Sequence, residues 1–194
     1  MAKNLKGAYS TLGASNHTDR ERVDSDFYST DPSAIQLLHN HNLLDDSDYW
    51  ECACGNGSLS KKLIELGYNV PKNTDLYDRG YGEPNVNFLF ENEVFEGNII
   101  TNPPFKLLTE FILKGLELAE NKLYIFGRIQ TIETISRWEK IFKNNKPVWI
   151  CPFVKRIGCY PNGDKSYKNR AVCYAWFIWD NKDSSEETRV KWLI

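Results

Sequence analysis

The chain has 194 residues, enough for one domain with a substantial core and too few for two full ones. Hydrophobic residues make up 41%, which excludes a disordered chain, and no apolar run reaches membrane-spanning length. A net charge of −2 gives no overall attraction for nucleic acid, so binding of that kind needs a local basic face.

The N-terminus, Met1-Ala2-Lys3-Asn4, lacks the apolar core of a signal peptide. Five cysteines, an odd number, cannot all pair, which favours reduced thiols in a cytoplasm. Cys52 and Cys54 stand one residue apart, and Cys151, Cys159 and Cys173 are scattered. The spacing of a zinc site is absent, and no metal is expected. Residues 1–26 are polar and form an N-terminal arm ahead of one domain over 27–194. The arm either frays or orders over a ligand.

Phe27-Tyr28-Ser29-Thr30-Asp31-Pro32 leads into the first helix. Thr30 or Asp31 serves as N-cap, Pro32 takes the first helical position, and Ile35, Leu37 and Leu38 give an apolar stripe that ends near His41. Capping accounts for Asp31 and Pro32 but not for the aromatic pair Phe27 and Tyr28. Tyr49 to Ala53 reads as a buried strand that includes Glu51 and Cys52, and Cys54-Gly55-Asn56-Gly57 follows as a tight loop. Leu59, Leu63 and Leu66 then fall at helical spacing, with Gly67 as the stop.

Strand, glycine loop and helix in that order make the nucleotide-binding half of a doubly wound sheet. Ser60 stands where a dinucleotide fingerprint needs its third glycine, and the loop lacks the Gly-Lys-Ser/Thr of a phosphate cradle. What remains, Glu51-x-x-x-Gly55-x-Gly57, resembles the first motif of S-adenosylmethionine-dependent enzymes. That cofactor has no phosphate but carries an ammonium and a ribose diol, so an acid at the strand end suits it. A second strand is expected from Tyr68 to Asp75, weakened early by Pro71. Asp75, twenty positions after Gly55, is placed to reach a ribose hydroxyl pair. Asp78 competes, although Asp78-Arg79-Gly80 also reads as a structural turn. Asp75 is favoured because it directly follows the strand. Asn87-Phe88-Leu89 marks a third strand's end, where related enzymes place an acid for the adenine amine and this chain has Asn87.

The short apolar run Asn98-Ile99-Ile100 reads as a buried strand that ends at Asn102. Pro103 and Pro104 follow, leaving two positions with no N–H and holding Pro103 extended. The corner is rich in acceptors, and Phe105 adds a flat apolar face. It suits a planar group with an NH2: the two hydrogens go to the Asn102 oxygen and the Pro103 carbonyl while the ring stacks on Phe105. A helical stripe from Leu108 to Ala119, a core strand from Lys122 to Phe126, the turn Gly127-Arg128-Ile129-Gln130-Thr131 and a helix through Trp138 and Phe142 come next. Pro147 to Val154 and Ala171 to Trp179 are strand-like and form a terminal hairpin. Its long loop carries Lys155, Arg156, Lys165, Lys168 and Arg170 with Tyr160 and Tyr167 between them. The loop is either a solvated cluster or a surface for phosphates and unstacked bases.

The order aromatic-Thr-Asp-Pro, Glu-x-x-x-Gly-x-Gly, strand-end Asp, Asn-Pro-Pro-Phe resembles the DNA adenine-N6 methyltransferase family, above all its small phage and prophage members. The resemblance covers roughly residues 27–180 and implies an α/β fold: a single-domain, Rossmann-like, seven-stranded, mostly parallel sheet with helices on both faces and a terminal antiparallel hairpin. It implies S-adenosylmethionine held by Phe27, Tyr28, Thr30, Glu51, Cys52, Gly55, Gly57 and Asp75. It also implies catalysis by Asn102, Pro103, Pro104 and Phe105 on an adenine flipped out of DNA, with Gln130, Glu133 and Arg137 at the target pocket. No separate target-recognition domain is visible, so loose or short-sequence specificity, or a partner or oligomer, is expected. Methylation of guanine N2 in RNA or of a protein glutamine on the same geometry, and a catalytically silent nucleic-acid-binding module, are the alternatives.

Overall fold

The computed structural model describes residues 27–164, 166, 172–183 and 187–194. The N-terminal arm, Lys165, Tyr167, Lys168 and Arg170 lie outside the described residues.

Strands in this chain read as continuous apolar runs because most are covered on both sides. They are β1 (Tyr28–Thr30), β2 (Tyr49–Glu51), β3 (Lys72–Asn73), β4 (Asn98–Thr101), β5 (Lys122–Arg128), β6 (Trp149–Pro152), β7 (Cys159–Pro161), β8 (Tyr174–Asp180) and β9 (Arg189–Val190). Seven of them form one sheet in the order β3-β2-β4-β5-β8-β6-β9, and β1 pairs with β7 in a separate two-stranded ribbon. All neighbours in the large sheet run parallel except β8, which is antiparallel to both β5 and β6.

Alternation along β5 assigns its side chains to two cores. Tyr124 and Phe126 face one side with Ile100, Trp176 and the apolar stripe of α1 (Ser33–Asn40) and α2 (Ser58–Glu65). Leu123 and Ile125 face the other with Ile99, Phe177, Trp179 and α3 (Leu108–Leu118). Ile99 and Ile100 are fully buried, one on each face, and each contributes about 1.5–3 kcal/mol of apolar burial. Helix α2 stops as its sequence predicts. Gly67 has φ +94°, its N–H donates to the Ile64 carbonyl, and the Tyr68 N–H reaches back to Leu63.

The structure corrects three expectations. The second strand is only two residues long, because Tyr68 to Pro71 lie outside the ladder; Thr74 continues by a single bridge to Glu83. No strand forms at Asn87–Leu89. There the Asn87 side chain accepts the Leu89 N–H and winds Phe88–Phe90 into a tight helical turn. The first helix, by contrast, begins as expected: Pro32 has helical φ −56° and ψ −22°, and Asp31 caps the first turn by accepting the Ser33 N–H at 3.0 Å. Finally, the connection between β6 and β8 is not an open hairpin loop, since it leaves the sheet midway to form β7. Among the described residues no helix is long and apolar enough to cross a membrane.

Candidate active site

Parallel strands β2 and β4 are neighbours, so the loops after them emerge at the same carboxyl edge. After β2 the chain turns through Gly55 (φ +55°) and Gly57 (φ +74°), conformations that L side chains rarely adopt. Both glycines also lie under rings. A Cβ on Gly55 would stand 2.5 Å from Phe27, and one on Gly57 would stand 2.4 Å from Tyr81.

The loop is fixed from below by Asp75, which is buried. One carboxylate oxygen accepts the Gly55 N–H at 2.8 Å, and the other accepts the Tyr77 N–H at 2.9 Å. The Arg79 guanidinium stands 3.7 Å from the same carboxylate and 4.2 Å from the Phe27 ring centre. Asp78, by contrast, is exposed and closes a turn on the Gly80 N–H.

Glu51 is buried at the end of β2 and accepts the Ser60 N–H at 3.0 Å, in the first turn of α2. Its carboxyl also touches Ser60 Oγ, which in turn touches Asn73 Oδ1. Asn73 Nδ2 donates to the Val70 carbonyl, so Asn73 presents an acceptor to Ser60. Ser60 has one hydroxyl hydrogen and can give it to only one of these two acceptors. Burial pushes Glu51 from 4.5 up to about 8 against the opposing pull of the Ser60 hydroxyl and N–H. Cys52, also buried, has its thiol pushed well up by burial.

Sequence reasoning missed the element that ties these parts together, the β1–β7 ribbon. Ser58 Oγ donates to the Thr30 carbonyl at 2.6 Å, and Ser29 Oγ donates to Asn56 Oδ1 at 3.1 Å, which seats the ribbon on the glycine loop. Tyr160 Oη donates to Asp31 at 2.9 Å. The one local signal was Asn162-Gly163, whose φ values of +48° and +75° turn the chain directly after β7.

The ribbon also fixes the corner at Asn102. Asn102 Nδ2 donates to the Tyr28 carbonyl at 2.9 Å and to Thr30 Oγ1 at 2.8 Å. A carbonyl only accepts, so the amide nitrogen must face β1, and this sets the position of its oxygen. Asn102 Oδ1 is buried and has no hydrogen-bond partner among the described residues. Leaving such an acceptor unmet costs about 1–3 kcal/mol, and a native structure that does so calls for an explanation.

Two expectations about aromatic rings are corrected here. Phe105 was expected to offer an open face, but Tyr28 (5.8 Å), Tyr174 (6.0 Å, 21° from parallel) and the Arg128 guanidinium (4.9 Å) surround its ring. An exposed cation–π contact is worth about 0.5–1 kcal/mol, whereas a base stacked on an aromatic ring gains about 1–3. Tyr160, expected to meet bases, is buried because β7 pairs with β1 and carries its hydroxyl to Asp31.

Phe27, Tyr28, Thr30, Glu51, Cys52, Gly55 and Asp75 line one crevice together with Asn102, Pro103, Pro104 and Phe105. Its empty volume is about 900 Å³ with the open mouth included, within the range of small-molecule clefts. Gly57 lies just outside the lining, at the start of α2. Asn87, Phe88 and Leu89 reach the crevice although they form no strand. Lys155 and Arg156 are exposed, and Gln130, Glu133 and Arg137 lie on the segment after β5, outside the crevice lining.

No family model matches the chain. No curated protein matches it either. Among solved structures, a candidate RNA methyltransferase of Pyrococcus horikoshii is similar, with a TM-score of 0.59, 14% identity, and coverage of 91% of this chain and 98% of that one. A type I restriction-modification methyltransferase subunit of Streptococcus thermophilus has a TM-score of 0.63 and 12% identity over 86% of this chain, which spans 47% of that subunit. Magnesium protoporphyrin IX methyltransferase of Synechocystis, solved with S-adenosylhomocysteine, has a TM-score of 0.50 and 13% identity, over 91% of this chain and 94% of that one. At these identities the likeness is one of fold: the chain has an α/β architecture similar to that of methyltransferases with quite different substrates.

Proposed function

We propose that the protein is an S-adenosylmethionine-dependent methyltransferase that acts on the N6 amine of adenine in DNA. The observation that carries this reading is the orphaned oxygen of Asn102, held beside Pro103 on the crevice that Glu51 and Asp75 also line. The donor set fits the cofactor: two buried carboxyls and an apolar wall of Phe88 and Leu89, with no Gly-Lys-Ser/Thr phosphate cradle in the glycine loop. In this reading Asp75 takes the ribose hydroxyls and Glu51 the cationic methionine end. When bound, S-adenosylmethionine supplies a methyl group on a sulfonium leaving group.

An aromatic amine is a poor nucleophile because its lone pair is delocalised into the ring. Asn102 Oδ1 and the Pro103 carbonyl accept the two amine N–H bonds, which draws the nitrogen toward a tetrahedral shape and frees the lone pair. Phe105 holds the extruded ring in place. Positioning and oriented dipoles carry this chemistry, and the proton leaves to solvent afterwards. The test is incubation with methyl-labelled cofactor and DNA, RNA or a glutamine peptide, followed by identification of the modified residue. Label in N6-methyladenine is expected. Label confined to guanine or glutamine would move the activity to another amine, and no label with no heat of cofactor binding would leave a silent binding module.

The glycine loop provides a second check. Alanine at position 57 must hold a left-handed backbone, at about 1–2 kcal/mol, and must push the Tyr81 ring from its root rather than its tip. Gly57→Ala is expected to weaken S-adenosylmethionine at least about tenfold, measured by calorimetry. Unchanged affinity would detach the loop from cofactor binding.

A further inference from the structure

Three neighbours cover the Phe105 ring, and they differ in how easily they leave. Tyr28 is held in the β1–β7 ribbon, and Tyr174 is stacked at 4.9 Å on the buried Phe126. Arg128 is different. It ends β5 at the sheet's carboxyl edge, opposite Tyr174, and its side chain is exposed. Among the described residues its guanidinium makes no hydrogen bond or ion pair; it rests on the Phe105 ring and acts electrostatically on the Tyr174 hydroxyl. A strong five-donor cation is thus parked on an aromatic face with no protein acceptor for its donors among the described residues.

We infer that Arg128 is a displaceable plug of the target-base site, covering Phe105 in the free protein and taking a phosphodiester of the target strand once a base enters. The proposal rests on the DNA-methylating reading above. The planar guanidinium substitutes for the base before it arrives, and stacking of the base on Phe105 drives the exchange. Phosphate oxygens then satisfy the fork of N–H donors that the ring could not. Lys106, exposed beside Phe105 in the chain, adds positive charge at the same rim. The plug also keeps water and small solutes off the ring while no strand is bound.

Such a residue has opposite effects on two probes, and that is the test. One probe is 2-aminopurine deoxyriboside, an uncharged fluorescent base whose emission is quenched on stacking. The other is a fluorescein-labelled duplex of mixed sequence. In Arg128→Ala the nucleoside is expected to bind about two- to fivefold tighter, because its competitor is gone. The duplex is expected to bind about three- to tenfold more weakly at low salt, with the log–log salt slope smaller by about 0.9. Arg128→Lys keeps the charge and should keep the slope.

Both probes unchanged in Arg128→Ala, both weakened, or the slope lost in Arg128→Lys as well, would overturn the proposal. S-adenosylmethionine affinity, measured on each variant, reports that the fold is intact. If the wild-type protein binds neither cofactor nor duplex, the functional reading fails first. If it binds both and Arg128→Ala behaves as wild type, only the plug is lost.

Discussion

Asn102→Ala is expected to lower methyl transfer by about 100- to 1,000-fold while the protein still binds S-adenosylmethionine, because a preorganised polar group at the reacting atom is removed. The two ends of this amide have separate tasks. Its nitrogen is committed to the Tyr28 carbonyl and Thr30 Oγ1, and its oxygen is left for the amine. Cofactor affinity should fall by less than about tenfold, since Ser58 and Ser29 still seat the ribbon on the glycine loop. The division of labour also forecasts Asn102→Asp. In Asn102→Asp a carboxylate would set a negative oxygen against the Tyr28 carbonyl, which can only accept, although the Thr30 hydroxyl can turn to donate to it. Asn102→Asp should therefore be as inactive as Asn102→Ala near neutral pH and less stable than it, by about 1–3 kcal/mol in denaturant unfolding. Turnover close to wild type in Asn102→Ala would remove the amide from the chemistry altogether.

What the sequence made legible was local. The glycine loop, the Ile99-Ile100 strand, the Asn102-Pro103-Pro104 corner and the stop of α2 at Gly67 each depend on residues next to one another. Turn chemistry and apolar runs report them directly. The β1–β7 ribbon was not legible. Its strands are three residues each and come from distant parts of the chain, too short for a period and joined only by tertiary pairing. Tyr160 was misjudged for that reason: a tyrosine in a polar loop looks available until the loop is found to be half of a ribbon. Asn87 was misjudged for the opposite reason. Asn87-Phe88-Leu89 reads as a strand's end, while a single side-chain acceptor at its head is enough to wind Phe88–Phe90 into a turn. The plug on Phe105 had no sequence signal, because Arg128 and Phe105 meet only through the adjacency of β4 and β5.

Glu51 makes stability depend on pH in an unusual sense for a carboxyl. Its folded pKa, about 8, lies above the ordinary value of 4.5, so the folded chain holds this proton more tightly than the unfolded chain. The stabilisation is complete below about pH 4.5, declines as pH rises through the interval up to about 8, and is gone above it. A depressed carboxyl would do the reverse. Glu51→Gln has nothing to titrate; one Glu51 oxygen receives both the Ser60 N–H and the Ser60 hydroxyl, so the variant must keep its amide oxygen there and turn the NH2 away, which adds an offset that does not vary with pH. The difference in unfolding free energy between Glu51→Gln and wild type should therefore grow in favour of the variant by roughly 1 kcal/mol per pH unit across that window, then level off. Denaturant midpoints at a series of pH values measure it, and parallel curves would show that Glu51 is already ionised in the fold. The same proton bears on the site. A cation beside Glu51 favours the carboxylate, so binding of S-adenosylmethionine near neutral pH should release a proton, seen as a binding enthalpy that varies with the ionisation enthalpy of the buffer. Glu51→Gln should lose that release and, on the proposed reading, the charge that would meet the cofactor's ammonium, so calorimetry on this variant tests whether the buried acid at the end of β2 serves ligand binding as well as the fold.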